Sequence, residues 1–275
     1  MSFNTYEQAE TFTTLNFSAA CLSFIGQTLI IFSYLAVPAV RSLSMKFVLA
    51  LGFSELLFSI SYILGYILGE RYNVGAQEFL TVSSSISCMI WVLVILRAAY
   101  TQIKSSSSKT ESLFRVGLFL NIVISVMAGF IGVIARGSND DLFLVDNKDV
   151  TIITPLIETF GLLDVLRIVV GLVTLVYGFK ISSILKTKFE TKATIESQNM
   201  MGYCIILILT WIPQLSLKLQ EAMFENELLT YEVHLICSVL YRLTGFFNLL
   251  LFAKTYLKKI RKYYSGSVGG SPKES

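Results

Sequence analysis

Residues Phe79 to Ile103 read FLTVSSSISCMIWVLVILRAAYTQI, and this stretch decides the class of the molecule. It carries no charge before Arg97. At about 1.5 Å of helical rise per residue, a run of this length crosses a hydrocarbon core of about 30 Å with some tilt. Its first half holds small, weakly polar residues: Ser83, Ser84, Ser85, Ser87 and Cys88. Small residues let helix backbones approach closely inside a membrane, and hydroxyls bond across to neighbours. The stretch is therefore expected to be the central helix of a bundle. Its second half carries Trp91, Arg97 and Tyr100 toward one membrane face.

The rest of the chain agrees. Of its 275 residues, 54% are hydrophobic and 15% charged, with a mean hydropathy of +0.66. Soluble domains carry about 25% charged residues, so the composition is that of a polytopic membrane protein. Apolar stretches lie at 17–39, 46–68, 78–103, 113–135, 153–184, 200–220 and 232–256. The connectors are short and no internal repeat is visible, so residues 1–264 read as one domain, with 265–275 as a disordered tail. Cys21, Cys88, Cys204 and Cys237 all fall within apolar stretches, which argues against an extracellular disulfide. Asn16-Phe17-Ser18 is a glycosylation sequon abutting the first apolar run.

Lys and Arg set the orientation. Arg41, Lys46, Lys104, Lys109, Arg115, Lys186, Lys188, Lys192 and the cluster from Lys254 to Lys262 fall on one side. Arg71, Arg136 and Lys148 fall on the other, among Asp140, Asp141, Asp146, Asp149, Glu225 and Glu227. This predicts an all-α membrane protein, a seven-transmembrane helix bundle with the N-terminus outside and the C-terminus cytoplasmic. The segment Lys254 to Tyr264, KTYLKKIRKYY, is basic and aromatic and reads as a short amphipathic eighth helix on the anionic inner leaflet.

Ionisable residues inside spans are costly in lipid and point to function. Glu55 in the second span and Arg242 in the seventh both fall near mid-membrane, and the two are expected to pair. Asp164 and Arg167, spaced i, i+3 in the fifth span, can pair on one face. The candidate ligand-binding residues are Asp164, Arg167, Lys218, Trp211 and Arg242. In the sixth span Trp211-Ile212-Pro213 removes a backbone hydrogen bond and gives a swing point. Arg97, Tyr100, Pro213 and Asn248 are the candidate switch and coupling residues, Arg97 as a latch near the inner face. The chain has one histidine, His234, and no metal-ligand spacing, so no enzymatic activity, metal or cofactor is expected. No nucleic-acid partner is expected either.

The chain resembles a seven-helix G-protein-coupled receptor, in particular the cAMP-receptor-like group of protists and fungi. Trp91 and Tyr100 match that group's third-helix spacing, Trp211 its sixth-helix Trp, and Gly245, Phe246 and Asn248 its seventh-helix motif. Leu49-Ala50-Leu51-Gly52-Phe53-Ser54-Glu55-Leu56-Leu57 is similar to the second-helix motif of rhodopsin-like receptors, with Glu55 where Asp is usual. Leu96-Arg97-Ala98 departs from the acidic-Arg-aromatic triplet of those receptors. The resemblance implies a plasma-membrane receptor, surrounded by membrane lipid, passing a signal from an extracellular small-molecule or peptide ligand to a heterotrimeric G protein. A retinal protein needs a mid-membrane Lys in the seventh span, where this chain has Arg242. A small-solute transporter and a structural membrane protein with seven helices stay open as alternatives.

Overall fold

The computed structural model describes residues 6–68, 74–104, 107–142, 169–181, 183, 192–223 and 231–268. All regular structure among these residues is helical. The helices are α1 (Tyr6–Ala36), α2 (Leu43–Leu68), α3 (Val74–Lys104), α4 (Ser107–Leu142), α5 (Val169–Ile181), α6 (Lys192–Met223), α7 (Tyr231–Arg242) and α8 (Thr244–Val268). A short 3-10 turn, Pro38–Val40, joins the first two.

Among the described residues, four helices are long and apolar enough to cross a membrane: Glu10–Ala36, Leu43–Leu68, Gly75–Ile103 and Lys109–Ile134. Tyr231–Arg242 and Thr244–Leu257 together make a fifth candidate, bent by 49°. This is the helical architecture of a membrane-embedded protein. Of the expected 153–184 span, only α5 and residue 183 fall among the described residues.

The Phe79–Ile103 stretch is central, as its small residues predict. In the most apolar window of α3, 67% of residues are buried, against 28–44% in the other three long helices. Ser84, Ser85, Ser87 and Cys88 are all buried. The Ser87 hydroxyl donates to Asn121 Oδ1 at 2.8 Å, and Asn121 Nδ2 returns a bond to the Ser87 carbonyl at 2.9 Å. The Ser54 hydroxyl lies 2.5 Å from Ser87 Oγ, so one serine ties α3 to both α2 and α4. Trp91 is buried, with its ring centroid 6.4 Å from Phe47 and 5.6 Å from Phe114, an aromatic joint of the same three helices. On the outside, Phe32 and Leu35 of α1 and Phe119, Met127, Phe130 and Ile134 of α4 are exposed. Helices that are apolar all round are those of membrane spans.

α1 and α8 cross where neither has a side chain. A Cβ on Gly26 would stand 2.7 Å from the Gly245 carbonyl oxygen. One on Gly245 would stand 2.7 Å from the Ser23 carbonyl oxygen. The Ser23 hydroxyl accepts from the Gly245 N–H at 2.9 Å, so the close approach is also a hydrogen-bonded one. At the other end of α1, Arg41 donates to the carbonyls of Tyr34 and Leu35, closing the helix over its last free acceptors.

The expected seventh helix is divided at Leu243, and its second half runs without interruption through the basic segment. There is thus no separate amphipathic eighth helix after Lys254: α8 carries both an apolar half and a basic half and reaches Val268, four positions beyond the expected domain end. Across the break the Leu243 N–H still reaches the Val239 carbonyl at 3.0 Å, and the Thr244 hydroxyl caps the Tyr241 carbonyl at 2.8 Å. Hydrogen bonding therefore continues through the bend, which is why Gly245 weakens the helix here without ending it. Asn16 is buried in α1, donating to the Phe12 carbonyl and accepting from Ser238 of α7. Its amide is part of the α1–α7 contact, so the acceptor residue of the sequon is not presented at the surface, although Ser18 is exposed.

Candidate functional site

Glu55 of α2 is 5% exposed and stands among apolar helices, where a carboxylate needs donors. It receives two amides. Asn248 Nδ2 of α8 donates to Glu55 Oε1 at 3.0 Å and to Oε2 at 2.8 Å, and Gln27 Nε2 of α1 donates to Oε2. Three helices are thus clamped on one side chain. Hydrogen bonds to a carboxylate are roughly twice as strong as neutral ones. The same two amides leave their oxygens, Gln27 Oε1 and Asn248 Oδ1, buried with no hydrogen-bond partner.

The expected Glu55–Arg242 ion pair does not form; the two amides take the carboxylate instead. Arg242 turns its guanidinium onto aromatic faces, 3.9 Å from the Tyr62 ring centroid, 5.0 Å from Phe58 and 5.6 Å from Tyr241. Arg is weakly hydrated and stacks well, so an aromatic cradle is a favourable place for its charge. Glu55 and Arg242 still meet as two walls of one cavity of about 20 Å³, completed by Phe58, Ser59, Ser85, Trp211 and Thr244. That volume suffices for about one water-sized group. The Glu55 carboxyl and the Arg242 guanidinium line it, with Trp211 beside them, so the cavity brings an acidic and a basic side chain together within an apolar bundle.

Two of the sequence-predicted ligand residues, Trp211 and Arg242, are therefore brought together. Asp164 and Arg167 lie outside the described residues. Lys218 lies in the second half of α6. Pro213 lies inside α6, which runs as one helix from Lys192 to Met223, and leaves the Leu209 carbonyl without its usual donor. Close by, the Thr210 hydroxyl is 2.8 Å from the Thr244 hydroxyl, joining α6 to α8 just past the bend.

A second polar cluster closes one end of the bundle. Glu196 Oε2 of α6 accepts from the Ser44 hydroxyl of α2 at 2.9 Å and from Gln102 Nε2 of α3 at 3.1 Å. The Ser197 hydroxyl bonds to the Ala99 carbonyl at 3.3 Å. Tyr256 of α8 hydrogen-bonds to Ser42 and is within electrostatic reach of Glu196. Tyr203 of α6 lies between the two clusters, within electrostatic reach of Glu55 and Tyr256, and its buried hydroxyl has no hydrogen-bond partner. The polar groups thus form a seam from Arg242 through Glu55 and Tyr203 to Glu196.

Arg97, expected as the latch at this end, is exposed, with its guanidinium 5.9 Å from the Tyr100 ring centroid. The helical phase explains the difference: Ala98, Ala99 and Ile103 face inward, so Arg97 faces out and Gln102 takes the interior contact. Tyr100 packs edge-on against Tyr177 of α5 at 6.1 Å. Asn248 is buried, where its role is to hold Glu55. Gln27 and Glu196 escaped the sequence reading. The signal for Gln27 was a lone amide in an apolar run; Glu196 was masked by a stretch mixing Lys, Glu and Thr. Among the described residues no group of His, Cys, Asp or Glu is arranged to hold a metal ion. No known protein family and no curated protein matches this chain.

Proposed function

We propose that the chain is a seven-helix receptor of the plasma membrane, N-terminus outside, that passes an extracellular signal to a heterotrimeric G protein. The observation that carries this reading is that α6 contributes to both polar clusters. Trp211 lines the charged cavity with Arg242, and Glu196, fifteen residues earlier, is held by α2 and α3 at the basic end. Those residues are about 22 Å apart along the helix. The cavity holds only about one water-sized group, so a small polar or peptide ligand arriving from outside would have to part the helices to contact Trp211 and Arg242, and would thereby favour one of two α6 positions through differential contacts. Release of Glu196 from Ser44 and Gln102 would free the inner end of α6. The Pro213 break lets the helix swing, and exposed Arg97 stands where a cytoplasmic partner docks.

The test is nucleotide exchange by co-expressed Gα subunits. Wild type should give exchange above background, Glu196→Ala should raise it, and Arg97→Ala and Pro213→Ala should change it. Absence of exchange with every Gα, at normal surface expression, overturns the reading. A small-solute transporter or a structural membrane protein would then be pursued by uptake in liposomes.

A further inference from the structure

We propose that the groove between α6 and the α7–α8 bend is a binding site for one anionic phospholipid of the inner leaflet. The inference rests on membrane embedding with the basic end inside, and not on the receptor reading. The groove has a volume of about 430 Å³ and is walled by Ile206, Leu209, Leu240, Phe247, Leu250 and Leu251. Thr210 also lines it, but its hydroxyl is taken by Thr244 and by the Ile206 and Leu207 carbonyls, so the wall is apolar in effect. Lys254 lines it as well and is exposed.

The groove and the charge belong to one stripe of α8. Phe247, Leu250, Lys254 and Arg261 recur at three-, four- and seven-residue steps, which the 3.6-residue period keeps on one face. Position 258 falls between the two cations in the same register. The apolar stripe therefore passes directly into a basic one as α8 leaves the bundle. Lys254 and Arg261 are two turns apart, about 10.5 Å along the axis, and hold a headgroup from both sides. An acyl chain in the groove and a phosphate on the cations complete the fit: hydrocarbon on hydrocarbon, and a planar guanidinium with an ammonium on phosphate oxygens. A zwitterionic lipid offers the same chains without the net charge. The occupant would sit as a wedge between α6 and α8.

Native mass spectrometry of the purified full chain, reconstituted with equal phosphatidylserine and phosphatidylcholine and then released from detergent, tests this. Wild type should retain one phosphatidylserine in at least about 25-fold preference, since Lys254 and Arg261 each contribute about a factor of five near an anionic headgroup. Lys254→Gln and Arg261→Gln, combined with Lys258→Gln between them, should abolish the preference; Lys254 and Arg261 are exposed, so folding is spared. Leu209→Trp, which fills the groove from an exposed position, should reduce retention of either lipid while leaving the protein monodisperse. Equal retention of the two lipids by wild type overturns the proposal. So does a preference that survives the combined charge substitutions, or retention that Leu209→Trp leaves undiminished. A dimer that Leu209→Trp dissociates would assign the groove to a second copy and overturn it as well.

Discussion

One amide nitrogen of Asn248 serves both carboxylate oxygens of Glu55, at 3.0 Å and 2.8 Å, across helices nearly two hundred positions apart in sequence. The contact pins α8 to α2. Removing the donor leaves a buried carboxyl with Gln27 alone. Asn248→Ala should destabilise the protein by about 2–4 kcal/mol, read as a lowered Tm in detergent. Asn248→Asp, which sets carboxyl against carboxyl, should cost at least as much. A wild-type melting temperature in Asn248→Asp would show that the contact does not hold the fold.

Glu55→Gln behaves differently from Glu55→Leu. Glutamine keeps one acceptor for an amide, and its new N–H groups gain an acceptor once Gln27 or Asn248 turns its amide over to present its unpartnered oxygen. Pairing a buried orphan recovers about 1–3 kcal/mol. Glu55→Gln should therefore melt at or above the wild-type temperature, and Glu55→Leu well below it. Equal losses in both variants would mean that the negative charge, and not the hydrogen-bond geometry, is what the site requires.

The α1–α8 crossing gives a steric prediction. In Gly245→Ala the new methyl meets backbone of Ser23, which cannot swing aside as a side chain can. Overpacking of this kind costs about 1–3 kcal/mol. Gly65→Ala serves as the contrast, because its methyl meets the amide end of Gln77. Thermal melts should show Gly245→Ala clearly destabilised and Gly65→Ala close to wild type; the reverse order would contradict the packing.

The aromatic cradle predicts that Arg242→Lys is not conservative. Lysine keeps the charge but loses the planar stacking on Tyr62. A double-mutant cycle of Arg242→Lys and Tyr62→Leu should show a coupling energy of roughly 0.5–2 kcal/mol. Strict additivity would mean that the ring does not hold the guanidinium.

Hydrogen exchange reports the Glu196 cluster. Glu196→Ala removes the acceptor shared by Ser44 and Gln102. Amides in the first turns of α6 should exchange several-fold faster, while α3 amides around Trp91 keep their protection. Unchanged exchange at the start of α6 would show that the cluster does not restrain it.

Hydropathy and small-residue content made the helices and the centrality of α3 legible, because both follow from local composition. Contact partners were less legible, because they depend on rotational phase. Opposite charge paired Glu55 with Arg242 on paper, yet neutral amides from α1 and α8 reach the carboxylate while nearby rings take the cation. Arg97 shows the same limit: one residue of phase separates a side chain facing outward from Ala98 and Ala99, which are fully buried. Asn248 stood out as a candidate switch residue, but nothing in its own segment named Glu55. The Leu243 bend was half visible in Gly245; the continuity of α8 was not, since a change from apolar to basic composition looks like an end and is only a change of surroundings.

The chain holds two tryptophans, and the fold sends them to different places. Trp91 is locked among Phe47 and Phe114 in the joint of α2, α3 and α4, whereas Trp211 lines the charged cavity. The molecule thus carries two intrinsic optical probes with separate jobs. With Trp211 exchanged for Phe, emission follows the integrity of the joint; with Trp91 exchanged, emission follows events in the cavity, and unlabelled compounds can be screened by colour shift alone.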